Sequence, residues 1–276
     1  MRTHRQNHGN TAARPEGRPV GPRHPADAAP AARFEESPLV NARTAGILYL
    51  VILVFGIFSE SSLRSQLIVP GDAAATAENI LNSEWLLRAV FTASLVYILC
   101  EVALMVILYL LFRSVSKALS LLAAAFRLIS LAIYGINLLN MFAALLILGE
   151  PDYTNGAEAG RPEALALLFL DLQKYGYAIG LTFFGVNCLL MGRLLFRSGH
   201  APKTLGVLLG IAGAGYLTSS FMFFLLPGYN GSATIPLLAP AFVAETWFCL
   251  LLLRKSGGVQ EWDEGEAERD SSQKSA

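Results

Sequence analysis

The sequence predicts an all-α protein, a polytopic bundle of about six transmembrane helices with a disordered tail at each end. Three observations carry this. Six long apolar stretches run through the chain, about 44–63, 89–112, 119–148, 175–196, 205–226 and 236–253. The hydrophobic fraction is 54% and the charged fraction 15%, where a soluble domain carries about 25% charged residues. Lys and Arg collect on one side of the stretches. Crossing the ~30 Å hydrocarbon layer takes about 20 helical residues at 1.5 Å rise each, and most of the runs reach that length. The first, Thr44–Ser59, is short and must borrow Leu63 or Val40 to span.

The organisation follows in chain order. Residues 1–38 are rich in Pro, Arg, His, Ala and Gly, with almost no large apolar side chains. Such a segment buries too little surface to offset its ordering entropy, and it reads as a disordered cytoplasmic tail. Residues 39–256 form the membrane domain, and the acidic, Ser-rich stretch 257–276 reads as a second disordered tail. No A-x-A-like site closes the first apolar run, so that span is expected to stay as a signal anchor. After it, Pro70-Gly71-Asp72 reads as a turn followed by a helix N-cap. Ala73–Leu81 then reads as a short helix with Ala73, Ala77, Ile80 and Leu81 on one face, suited to an interface. Gly149–Lys174 reads as a loop, ending in a helical turn near Arg161-Pro162.

Charge sets the expected orientation. Of 21 Lys and Arg, 17 belong to the N-terminal tail, the second-to-third and fourth-to-fifth turns, or the C-terminus. The other side holds Arg64, Arg88, Arg161 and Lys174. The positive-inside rule puts both termini in the cytoplasm. The protein's surroundings are then the lipid bilayer of a cell membrane. The net charge is zero, so nothing points to nucleic acid.

Polar residues inside apolar runs are the candidates for chemistry, because an ionised side chain at mid-bilayer costs at least about 2.5–3.5 kcal/mol and needs a partner. Glu101, Arg127, Asn187 and Glu245 lie nine to twelve residues from the basic end of their spans, a common depth of roughly 13–18 Å. Ser94, Tyr97 and Glu101 share one helix face. Ser120, Arg127, Ser130, Tyr134 and Asn137 share another. A Glu101–Arg127 contact across the second and third spans is the most specific pairing in the sequence. The intramembrane polar cluster is therefore Glu101, Arg127, Asn137, Asn187 and Glu245. It has two readings: a device that fixes helix register, or a substrate or proton pathway. Glu60 and Arg64, spaced i, i+4, suit an intrahelical pair at the outer end of span one. Gly206, Gly210 and Gly213 mark close helix packing.

Cys100, Cys188 and Cys249 all lie in apolar runs and read as small hydrophobes, with no disulfide framework. The sequence contains no H-E-x-x-H, G-x-S-x-G or Walker motif, and no paired His within a span. It therefore calls for no metal and no cofactor, and an intramembrane protease has no ligand set or nucleophile elbow to stand on.

Five stretches resemble a known family: Ala45–Leu50, Leu67–Thr76, Leu121–Leu128 with Arg127, Asn137–Asn140 and Pro202–Leu209. Glu245 in the last span belongs with them. The chain resembles the bacterial membrane proteins grouped as domain-of-unknown-function family 4386, over about residues 40–256. That family usually carries Asp where this chain has Glu101, which keeps the carboxylate. The resemblance implies several spans and a bacterial cell membrane, and lends no activity. Three functions stay open: a small-molecule or proton-coupled transporter, a non-catalytic structural or accessory subunit, and an intramembrane enzyme. A polar cavity favours the first or third, and a dry, fully paired cluster favours the second.

Overall fold

The structure, a computed structural model, describes residues 41–149, 162–199, 201–226, 229 and 235–255; of residues 64, 65 and 235–238 it describes the backbone alone. The two tails expected to be disordered, 1–38 and 257–276, lie outside the described residues, as does Arg161.

Seven α-helices make up the described residues: α1 Ala42–Ser62, α2 Ala73–Asn82, α3 Glu84–Phe112, α4 Lys117–Gly149, α5 Pro162–Ser198, α6 Lys203–Leu225 and α7 Ile235–Arg254. Of these α1, α3, α4, α5 and α6 are long and apolar enough to cross a membrane. The sixth apolar stretch forms α7, which has 20 residues, a length of about 30 Å.

Each start has a local cause. Asn41 caps α1, its Oδ1 accepting from the Thr44 N–H at 2.8 Å. The wide π-type turn Leu63–Leu67 extends α1 past Ser62, so the short first run gains length at its Leu63 end. Asp72 caps α2 by accepting from the Ala75 N–H at 2.9 Å, which satisfies one of the orphan amides of a helix start. The turn before it puts Gly71 at φ 81°, with the Asp72 N–H donating to the Val69 carbonyl at 3.1 Å. Pro then Gly at the two central positions is what a type II turn requires.

Two helices start earlier than the apolar runs suggest. Helix α3 begins at Glu84, where Glu84 pairs with Arg88 at 2.6 Å. Helix α5 begins at Pro162 and runs 37 residues, about 55 Å. Three turns that the sequence reads as loop are therefore helix. Asp171 and Lys174 pair along the helix surface at 2.6 Å.

The six long helices close into a ring, in the order α1, α3, α4, α5, α6, α7 and back to α1. Closure depends on Gly46 of α1, where an added Cβ would lie 2.6 Å from the Leu253 backbone nitrogen of α7. Helices α5 and α6 approach as closely. A Cβ on Gly192 or Gly206 would meet the other's carbonyl oxygen at 2.6 Å, and one on Gly213 would meet the Gly185 carbonyl at the same distance. Gly210 differs from its two neighbours, since a Cβ there would meet open space.

The ring's outer surface is apolar. Leu99, Ile136 and Leu225 are each at least 70% exposed, and many other large hydrophobes point outward with them. A solvent-facing monomer rarely shows contiguous apolar patches beyond a few hundred Å²; lipid is the medium that accepts this surface. Inside the ring lie two apolar clusters. One holds Leu104, Leu111, Leu194, Leu205 and Leu252 toward the basic turns. The other holds Leu67, Ile80, Leu87, Met141 and Leu170 at the opposite end, under α2.

Candidate functional site

Between the two apolar clusters lies a cavity of about 280 Å³. All six long helices line it. Tyr49 and Gly56 come from α1, Ser94, Tyr97 and Glu101 from α3, and Tyr134 and Asn137 from α4. Gln173, Tyr177 and Phe184 come from α5, Tyr216 from α6, and Phe242 and Glu245 from α7. The polar face of α3 reaches the cavity because Ser94, Tyr97 and Glu101 are spaced three and four residues apart. On α4 the seven-and-three spacing does the same for Tyr134 and Asn137.

Glu101 and Arg127 meet across α3 and α4. The Arg127 Nε donates to Glu101 Oε2 at 2.6 Å. Its Nη2 lies 2.5 Å from the same oxygen without the alignment of a second hydrogen bond. Both side chains are almost wholly buried, at 5% and 2% exposure. Arg127 sits behind Glu101, with its guanidinium carbon 5.3 Å from the Phe184 ring centre and 6.0 Å from that of Tyr49. Both contacts are within cation–π range.

Glu245 lies on α7, across α1 from α3, and is not in hydrogen-bond contact with Asn187 or Asn140. Its Oε1 accepts from the Tyr216 hydroxyl at 2.8 Å. Asn137 donates to the Gln173 carbonyl at 2.8 Å and accepts from the Asn140 amide at 2.9 Å, which ties α4 to α5 at the cavity wall. Asn187 does not line the cavity. It donates to the Ala123 carbonyl at 2.8 Å, a second tie between α4 and α5. Ser130 makes a third, to the Gly180 carbonyl at 2.8 Å. The structure thus puts Glu101, Asn137 and Glu245 on the cavity, Arg127 behind it and Asn187 away from it. Glu60 lies at its rim; the side chain of Arg64 lies outside the described residues, and so does the Glu60–Arg64 pairing.

The aromatic content of the wall was not singled out from the sequence. Five tyrosines, Tyr49, Tyr97, Tyr134, Tyr177 and Tyr216, line the cavity. Tyr134 and Tyr177 stack at 5.3 Å with planes 20° apart, and Phe184 packs against Tyr216 at 5.5 Å. The available signal was at least one Tyr in each of the first five spans, several of them three or four residues from another polar group. Among the described residues no group of three His, Cys, Asp or Glu is placed to hold a metal ion.

A family model matches the sequence over residues 44–256. The chain belongs to the DUF4386 family, described as a domain of unknown function. The family match takes in every long helix and the whole cavity wall. This DUF4386 protein is also similar to an uncharacterized protein of Archaeoglobus fulgidus, 29% identical over 164 residues, covering 59% of this chain and 82% of that one. No solved structure matches. An integral membrane protein of the DUF4386 family is what the sequence and the fold together establish.

Proposed function

We propose that this protein is a proton-coupled transporter for a small molecule in the bacterial cell membrane, with both termini in the cytoplasm. The single observation that carries the reading is the cavity of about 280 Å³ bearing Glu101 and Glu245 at the centre of the ring. A subunit that used these residues for packing alone would be expected to close over them. Protein interiors pack as densely as organic crystals, and binding sites are the concave exceptions, with a few convergent polar groups on apolar walls. A cavity of this size lies just below the usual range of small-molecule sites, about 300–1,000 Å³, so it suits a small ligand.

The roles divide by partner. Arg127 is the counter-ion of Glu101 and holds its charge in place. Glu245 faces a hydroxyl instead of a cation, so it is the carboxyl free to exchange a proton without breaking an ion pair. The charge pattern of the short turns supports the cytoplasmic placing of both termini.

The test is a melting-temperature screen of the purified protein against a library of small polar and amphiphilic compounds, repeated on Glu245→Gln. Glutamine keeps an oxygen that can accept from Tyr216, so the variant loses the charge and retains the hydrogen bond. At least one compound is expected to raise the Tm of the wild-type protein and to lose that effect in the variant. A library that moves neither protein would remove the transporter reading and leave the packing role. A hit is then followed into vesicles, where uptake should acidify or alkalise the lumen, read with a pH-sensitive dye.

A further inference from the structure

We propose that the cavity's ligand is an organic cation: a protonated or quaternary amine with a small apolar or aromatic body. This rests on the reading of the cavity as a binding site. Three observations point to positive charge.

The first is the charge balance of the wall. Glu101 and Glu245 line the cavity, and no Lys, Arg or His is among the lining residues described. Arg127, the one buried cation among the described residues, stands behind the wall and is engaged by Glu101. The interior therefore holds two carboxyls and one guanidinium. A proton or a cationic ligand on Glu245 restores neutrality, and an anion would add to the excess. A charge held in a low-dielectric interior needs its partner at close range.

The second is the wall's aromatic character. Tyr97, Tyr134, Tyr177 and Tyr216 line the same space as Glu245. Ring faces carry negative potential and attract ammonium groups, most strongly where water is excluded. Tyr49 and Phe184 already face a cation, Arg127. A carboxylate amid aromatic faces suits an ammonium group, and Ile52, Leu53, Ile98 and Leu181 supply apolar contact for the rest of the molecule.

The third is access. Ile57 of α1 and Phe242 of α7 line the cavity and are 54% and 57% exposed. They mark where the cavity meets the surface of the bundle. A cation with an apolar body collects at a membrane interface and can approach by that route. Glu245 is then the exchange point, holding either a proton or the ammonium group, so the entering cation displaces the proton to water. One positive charge replaces another, and the interior stays balanced at each step.

The experiment measures binding of three matched compounds to detergent-purified protein, by melting temperature and by titration calorimetry. They are phenethylammonium, 2-phenylethanol and phenylacetate, a cation, a neutral molecule and an anion on one aromatic body. Phenethylammonium is expected to bind at least tenfold more tightly than the other two, and Glu245→Gln to weaken it at least tenfold while leaving 2-phenylethanol unchanged. The wild-type comparison stands even where the variant does not fold. Equal or tighter binding of 2-phenylethanol or phenylacetate overturns the cation inference and leaves the binding site standing. No binding by any of the three, in protein that elutes as one folded species, also overturns it, and the broader transporter reading is then decided by the library screen.

Discussion

Arg127 and Glu101 form a buried ion pair at 2.6 Å that joins α4 to α3, and only Glu101 of the two lines the cavity. The arrangement separates two tasks. Arg127 neutralises one carboxylate from behind, beneath the rings of Tyr49 and Phe184, and the wall of the cavity keeps its acidic character.

Breaking this pair from either side should be costly. Glu101→Gln or Arg127→Met leaves one charge buried without its partner, a loss of about 3–5 kcal/mol for pairs of this kind. The double variant removes both charges and should recover much of the loss. Melting of the four proteins in one detergent completes the cycle. An unchanged Tm for Glu101→Gln would mean that the pair contributes no coupling.

Tyr216 and Glu245 give a second, smaller coupling. Tyr216→Phe keeps the ring and its contact with Phe184 and removes the donor to Glu245 Oε1. A buried acceptor left unpaired costs about 1–3 kcal/mol. The same variant should leave the aromatic wall intact, so cation affinity should fall less than in Glu245→Gln. Equal losses in the two variants would assign the site to the hydroxyl instead of the carboxylate.

The close approach of α5 to α6 predicts a contrast between glycines. Gly192→Ala and Gly213→Ala would press a methyl group to 2.6 Å from a backbone carbonyl of the facing helix. Backbone cannot yield as a side chain tip does, and overpacking of this kind costs about 1–3 kcal/mol. Gly210→Ala meets nothing within 4 Å and should be neutral or, through helix propensity, stabilising by up to about 1 kcal/mol. The three variants are compared by thermal melting of one preparation series. Loss at Gly210 equal to that at Gly192 would contradict the packing.

What the sequence made legible is what depends on one helix at a time. Apolar length gives the helices, and i, i+3, i+7 spacing gives the inward face of Ser94, Tyr97 and Glu101. The Pro-Gly-Asp signal gives the turn and cap before α2. Two things were not legible, because each depends on rotation or contact between helices. Asn187 and Glu245 lie at one depth in the sequence, yet Asn187 turns toward the Ala123 carbonyl and Glu245 toward Tyr216. The α7–α1 contact that closes the ring joins residues some 200 apart, such as Cys249, whose thiol donates to the Gly46 carbonyl. The start of α5 is a separate, local miss: Gly149–Lys174 reads as one loop, and the chain from Pro162 on is helix.

The orientation of the ring makes the last prediction. Turn 113–116 and the junction of α5 with α6 lie at one end of the bundle, because α3–α4 and α5–α6 are antiparallel hairpins and α4 runs antiparallel to α5. The ends of α1 and α7 join them there, through Gly46 and Leu253. Arg113, Lys117, Arg193, Arg197, Lys203 and Arg254 therefore crowd one end of the membrane layer, and short basic turns are the ones that stay in the cytoplasm. Reporter fusions after Arg113, Gly199 and Lys255 should give cytoplasmic signals, and fusions after Gly156 and Gly231 should give external ones. An external signal at Gly199 would invert the bundle. The end of the bundle that carries α2 would then face the cytoplasm.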